Sequence, residues 1–228
     1  MRRLRVLLPE PADVPIDELY GVERPHPADR PWVGLCMIAS LDGTTVVEGR
    51  SGGLGNDTDA AVLGALRRAA DVVLVGAGTA RVEGYGPPKQ PALRIGVVTA
   101  RGAVDVDTPL FEQGAGFLVM PEDGPEPPAG IDVVRAGHGQ VDLALAVRRL
   151  GAAIDDPRFV QCEGGPRLNG ALLASGCVDE LDLTISPHLA GGDGPRVASG
   201  APAQLARLDV AHLATDDGYL YGRWVRRT

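Results

Sequence analysis

The chain has 228 residues, a formal net charge of -8 and 44% hydrophobic residues. That length fits one large domain or two small ones with a sizeable core. The acidic balance excludes the broad basic face that nucleic acid or an anionic membrane requires. Cys36, Cys162 and Cys177 are odd in number and widely spaced, which matches neither a disulfide framework nor a Cys-x-x-Cys metal site. They read as buried, reduced thiols of a cytoplasmic protein. The apolar run behind the basic N-terminus, Val6 to Leu8, is too short for a secretory signal, and no run approaches the length of a membrane span.

Residues 1–31 are rich in Pro, Asp and Arg and read as an irregular lead-in ahead of a single domain over 32–228. Trp32 opens "WVGLCMIAS", a nearly continuous apolar run of the kind a strand buried on both faces shows, closed by the turn "SLDG". Thr58 is placed to cap a helix carrying Leu63, Leu66 and Ala70. "DVVLVGAG" and "LRIGVVTARG" read as further buried strands, "GFLVM" and "IDVVR" as shorter ones, and "VDLALAVRRL" as a helix before the strand "RFVQC". In "CEGGPRLNGALLASG", Pro166 suits the first turn of a helix with Leu168, Leu172 and Leu173 on its apolar stripe. The last third differs, because "VDELDLTIS", "ARLDVAHLAT" and "YLYGRWV" are strand-like and "DDG" separates the last two as a hairpin turn. The alternation predicts a three-layer α/β fold with a mostly parallel central sheet, closed by a C-terminal antiparallel hairpin.

Chemistry is expected at the carboxyl ends of the strands, where open α/β sheets bind ligands. Gly164 and Gly165 remove two side chains just ahead of a helix N-terminus, which makes either a tight turn or a place for phosphate. "VLVGAGTA" offers a second glycine-bearing strand end at Gly76. It is not a full dinucleotide fingerprint, since Arg81 stands where the third glycine belongs. Thr99 and Arg101 close the third strand and can supply a hydroxyl and a guanidinium to a further phosphate, such as the 2′-phosphate of NADPH. Asp42 and Glu163 sit at two strand ends as carboxylates able to bind a heterocycle's N–H groups or relay a proton, although Asp42 before Gly43 also makes a plain turn. Four histidines without ligand spacing, no Gly-x-Ser-x-Gly and no P-loop leave metal, serine-nucleophile and NTPase chemistry without support.

"ASLDG", "LRRAADVVLVGAGTA", "CEGGPRLNGALLASGCVDEL" and "ISPHLAGG", in this order, resemble the reductase domain of riboflavin biosynthesis. The resemblance spans roughly residues 32–226. It implies a dihydrofolate-reductase-like fold, NADPH as cofactor and a pyrimidine substrate. It implies that Ala39 meets the nicotinamide amide, that Gly76, Gly78 and Thr79 meet the adenosine side, and that Gly164, Gly165, Pro166, Arg167 and Leu168 lie along the pyrophosphate. It implies that Asp42 and Glu163 face the substrate as the catalytic carboxylates, and that the protein is a homodimer.

One loop departs from the family. Where relatives carry Asp-Asp-Pro and a phosphate-holding arginine, this chain reads "RVEGYGPPKQ". Glu83 then stands for one acid and Lys89 for the arginine, while Tyr85 either stacks on the substrate or covers the core edge. A dihydrofolate or dihydropterin substrate without a ribose phosphate is the alternative this loop raises. A non-catalytic nucleotide-binding module on the same fold is the alternative from another class.

Overall fold

The computed structural model describes residues 2–227; Met1 and Thr228, the outer bounds of the expected lead-in and domain, lie outside the described residues. Arg3–Leu8 (β1) and Ala12–Pro15 (β2) pair antiparallel and lead into a short helix, Ile16–Tyr20 (α1). Leu4 and Val6 alternate inward while Arg3 and Arg5 face water, and Ile16 and Tyr20 are buried with them. Of the expected irregular lead-in, residues 2, 9–11 and 21–31 carry no regular element.

Trp32–Ala39 (β3) is followed by the helix Asp57–Ala69 (α2). Its cap is Asn56, not Thr58: the Asn56 side-chain oxygen accepts from Thr58 N at 3.0 Å and Asp59 N at 2.8 Å. The Thr58 hydroxyl instead donates to Asp216 at 2.7 Å. Then come Val72–Gly76 (β4), Ala77–Glu83 (α3), Arg94–Val98 (β5), Pro109–Glu112 (α4), Gly116–Met120 (β6) and Val133–Arg135 (β7). Leu143–Arg148 (α5), Phe159–Cys162 (β8) and Pro166–Ala174 (α6) complete the alternation, with Pro166 in the first turn of α6 as expected. Glu180–Ile185 (β9), Asp209–Asp216 (β10) and Tyr219–Val225 (β11) end the chain.

All eleven strands share one sheet, in the order β2-β1-β10-β11-β9-β3-β8-β4-β5-β6-β7. From β9 to β7 every pair is parallel, and from β9 back to β2 every pair is antiparallel. The expected α/β fold with a closing hairpin therefore holds, with the N-terminal hairpin extending the antiparallel half. One core gathers α1, α2 and α4 on one face of the sheet around Ile38, Val73, Val75 and Val97. The other gathers α5 and α6 on the opposite face around Val33, Leu35, Leu74 and Val160. These are the three layers.

The site follows from register. Leu35 and Leu74 both pair with Cys162 of the central strand β8, so the carboxyl ends of β3, β8 and β4 reach one rim together. Backbone bonds from Glu163 N to Leu74 O (2.9 Å) and from Gly76 N to Gly164 O (2.7 Å) hold the β8–α6 turn against the β4–α3 turn.

Candidate active site

At that rim opens a cavity of about 630 Å³, lined from β3 by Cys36, Met37 and Ile38, from α2 by Asp59 and Leu63, and from the two glycine turns. Gly76, Gly78, Thr79, Gly165, Pro166, Arg167 and Leu168 all border it, as do Glu83, Tyr85 and Glu163. Ten of the residues singled out from sequence thus meet at one place, and Gly164 lies directly behind them in the turn with φ +82°.

Glu163 is buried and saturated. Arg67 grips its carboxylate through Nε at 2.7 Å and a terminal nitrogen at 2.5 Å, Tyr85 donates its hydroxyl at 2.5 Å, and Gln161 donates at 2.9 Å. A bidentate guanidinium and two neutral donors satisfy the group that burial would otherwise make costly. Burial and the adjoining Glu163 charge push the Tyr85 phenol well above its usual range, so it stays neutral and donates. Burial opposes the Arg67 charge, but Glu163 overcomes that and leaves the guanidinium more firmly protonated than usual. Tyr85 thus serves as a clamp on Glu163, and Arg67 adds a cation–π contact to its ring at 5.4 Å.

Several expected residues lie elsewhere. Asp42 is exposed, outside the cavity lining. Its oxygens accept from Ser40 at 2.5 Å, Ala190 N at 3.1 Å and Gly191 N at 2.7 Å, and these bonds hold its carboxyl down to about 2. It pins the "HLAGG" loop to the end of β3 instead of standing beside Glu163. Ala39 also lies outside this cavity and borders a second groove with Leu183 and Ile185. Lys89 is exposed, while Thr99 is buried with its N–H bonded to Val119 O at 3.0 Å and Arg101 is exposed; none of the three lines the cavity. Glu83 does, but its carboxylate accepts both the amide and the hydroxyl of Ser51 at 3.0 Å, so it fastens the 50s loop to α3.

Sequence reading did not single out Asp59 and Arg67. With Leu63 they are four and eight residues apart on α2, one helical stripe with polar ends. That stripe is legible in the chain, but its partner on β8 is not.

A dinucleotide fits this lining. Gly76 and Gly165, the residues that cap α3 and α6, have no side chain to bond the first-turn N–H groups, and both helix starts border the cavity. They leave donors and the positive end of the nine-residue α6 facing it. A Cβ on Gly165 would come within 2.6 Å of the Thr79 hydroxyl, whereas one on Gly78 would meet nothing. The two turns are therefore closed to side chains at their junction and open toward the cavity.

The family model described as the RibD C-terminal domain matches residues 31–221. Over 210 residues the chain is 28% identical to 2,5-diamino-6-ribosylamino-4(3H)-pyrimidinone 5′-phosphate reductase of Methanothermobacter thermautotrophicus, covering 85% of this chain and 94% of the relative. Among solved structures, a pyrimidine reductase-like protein from Corynebacterium diphtheriae superimposes with a TM-score of 0.79 at 23% identity, over 94% of this chain and 100% of that one. The riboflavin biosynthesis reductase Rib7 of Saccharomyces cerevisiae superimposes with a TM-score of 0.70 at 20% identity, over 89% and 92% of the two chains.

Proposed function

Because the chain belongs to the RibD C-terminal domain family, we propose that it is an NADPH-dependent reductase of a riboflavin-pathway pyrimidine. The observation that carries this reading is the single cavity in which two side-chain-free helix starts face a buried, fully hydrogen-bonded carboxylate. The first-turn amides of α6, with Gly165, Arg167 and Leu168, would hold the dinucleotide's pyrophosphate, and Gly76, Gly78 and Thr79 its adenosine side. When bound, the cofactor supplies a hydride for a C=N bond of the ring-opened ribosylamino substrate.

The protein's own work is binding, orientation and charge. Glu163, immobilised by Arg67, Tyr85 and Gln161, sets a fixed negative charge in the wall beside the pyrimidine, its lone pairs being taken by those donors. Met37, Ile38, Val46, Leu63 and Val82 supply apolar walls that keep water from the reacting carbon. Arg101 is exposed and carries no hydrogen bond or ion pair among the described residues. We assign it, with Thr99, to the 2′-phosphate that distinguishes NADPH from NADH. Leu183, Ile185, Leu220 and Trp224 form a half-exposed apolar face on β9 and β11, which suits the homodimer we propose.

NADPH oxidation by the purified protein with a panel of aminopyrimidines and dihydropterins tests the assignment. Turnover of the ribosylaminopyrimidines is expected. Turnover of dihydropterins alone would move the substrate to the folate type, and NADPH binding with no turnover of any compound would leave a nucleotide-binding module.

A further inference from the structure

Reducing a C=N bond needs a proton on nitrogen as well as a hydride on carbon, and the cavity's residues differ in whether they can give one. Tyr85 commits its proton to Glu163, Glu163 accepts four donor contacts, Ser51 commits its hydroxyl proton to Glu83, and Thr45 donates to Pro195 O. Arg67 and Arg167 are too weakly acidic to donate. Cys36 is a neutral thiol that burial, with the neighbouring Asp182 and Glu163 charges, pushes well above its usual range. One acid remains. Asp59, at the third position of α2, lines the same cavity. The Thr184 hydroxyl of β9 is beside it and favours its charged form.

We propose that Asp59 is the proton donor of this reductase, giving its carboxyl proton to the substrate nitrogen while Glu163 stays a fixed anion in the cavity wall. The proposal rests on the reductase reading above. The carbon takes the hydride and the nitrogen the Asp59 proton, so the C=N bond becomes a C–N single bond. The dihydronicotinamide is oxidised to the nicotinamide cation, and Asp59, left as carboxylate, regains a proton from solvent through the cavity mouth.

The surroundings favour a protonated Asp59. Burial raises its carboxyl above the ordinary range, with the bond to Thr184 opposing in part, although a helix first turn by itself favours the anion. Among the described residues no ion pair joins Asp59 to a cation: Cys36 from β3, Tyr20 from α1 and Tyr221 from β11 lie close enough to feel its charge, Asp182 of β9 acts on the same Cys36, Thr184 is beside it, and Glu163, Glu83 and the exposed Arg167 share the cavity lining. Carboxyl groups held in one cavity in unlike surroundings divide into acid and anion: Glu163 pairs with Arg67, Glu83 takes the Ser51 donors, and Asp59 has neither. Gly55 makes the space for this, since a Cβ there would come within 2.9 Å of an Asp59 oxygen.

Two measurements decide it. In Asp59→Asn, kcat/KM should fall by roughly 10² or more, with NADPH affinity unchanged within a few-fold. The wild-type rate should fall as pH rises through the Asp59 titration, and that limb should vanish in the variant. Rates within about threefold of wild type and an unaltered pH profile would overturn the proposal. The second measurement needs no substrate: a 13C-carboxyl NMR titration of the free protein, assigned by difference against Asp59→Asn, should show Asp59 titrating above an ordinary aspartate. An ordinary or lower value would overturn the proposal, whereas failure of the reductase reading would appear separately, as a wild type inactive with every pyrimidine.

Discussion

Glu163 shows how a single residue's role follows from its donors. Four contacts from Arg67, Tyr85 and Gln161 converge on one buried carboxylate, a density of polar satisfaction that a simple turn residue does not need. Glu163→Gln keeps the size but removes the charge that Arg67 answers and turns one acceptor oxygen into a donor. It should cut kcat/KM by roughly 10², with NADPH binding within a few-fold in a fluorescence titration. A large loss of NADPH affinity with turnover preserved would make Glu163 a scaffold for the turn instead. Asp42 illustrates the opposite case: its sequence setting resembles that of Glu163, but its oxygens are spent on Ser40, Ala190 and Gly191. Nothing local in "ASLDG" tells which way that carboxylate turns, because the loop it binds is 148 residues away.

Among elements, α6 was the most legible and the N-terminal hairpin the least. Pro166 marks the start of α6 and its leucine stripe marks the buried face, both local signals. Residues 3–6 alternate Arg with Leu or Val, a span too short to stand out. The prolines that follow read as loop, and the strand's partner is β10, at the other end of the chain. Likewise Asn56 and Thr58 are both good caps, and only the fold shows that the Thr58 hydroxyl is occupied by Asp216. The α6 start also carries a prediction. Gly165 has an ordinary φ of −72°, so Gly165→Ala tests the cradle without backbone strain. Its methyl would press on the Thr79 hydroxyl, and NADPH affinity should fall at least tenfold by fluorescence titration while the thermal midpoint moves by only a few degrees. Unchanged affinity would place the pyrophosphate elsewhere.

At the scale of the whole molecule, the antiparallel half holds a polar row inside an otherwise apolar sheet. Cys36, Asp182, Arg223 and His212 are cross-strand neighbours on β3, β9, β11 and β10. Glu180 beside them accepts from Arg24, Trp32 and Arg223, bonds that outweigh burial and hold its carboxyl near about 2. His212 is 4% exposed, and burial, aided by Arg223, depresses it to about 4. Its folded value lies below its unfolded one, so the stability of the neutral ring is fully present above the unfolded value. That stability is lost as pH falls from about 6.5 to about 4, amounting to roughly 3 kcal/mol. In chemical denaturation across that window, His212→Gln should lack this loss relative to wild type; parallel pH curves would contradict the buried neutral imidazole.

In the proposed reaction one cavity brings a nicotinamide cofactor to the C=N bond of a ring-opened ribosylaminopyrimidine. The most direct measurement is transfer of deuterium from NADPH labelled at the nicotinamide C4, followed by mass spectrometry of the product of a single turnover with a ribosylaminopyrimidine. One deuterium bound to carbon is expected in the product from wild type, with a transfer rate reduced roughly 10²-fold in Glu163→Gln. NADPH oxidation that leaves no label in the pyrimidine product, or transfer at the wild-type rate in that variant, would contradict it.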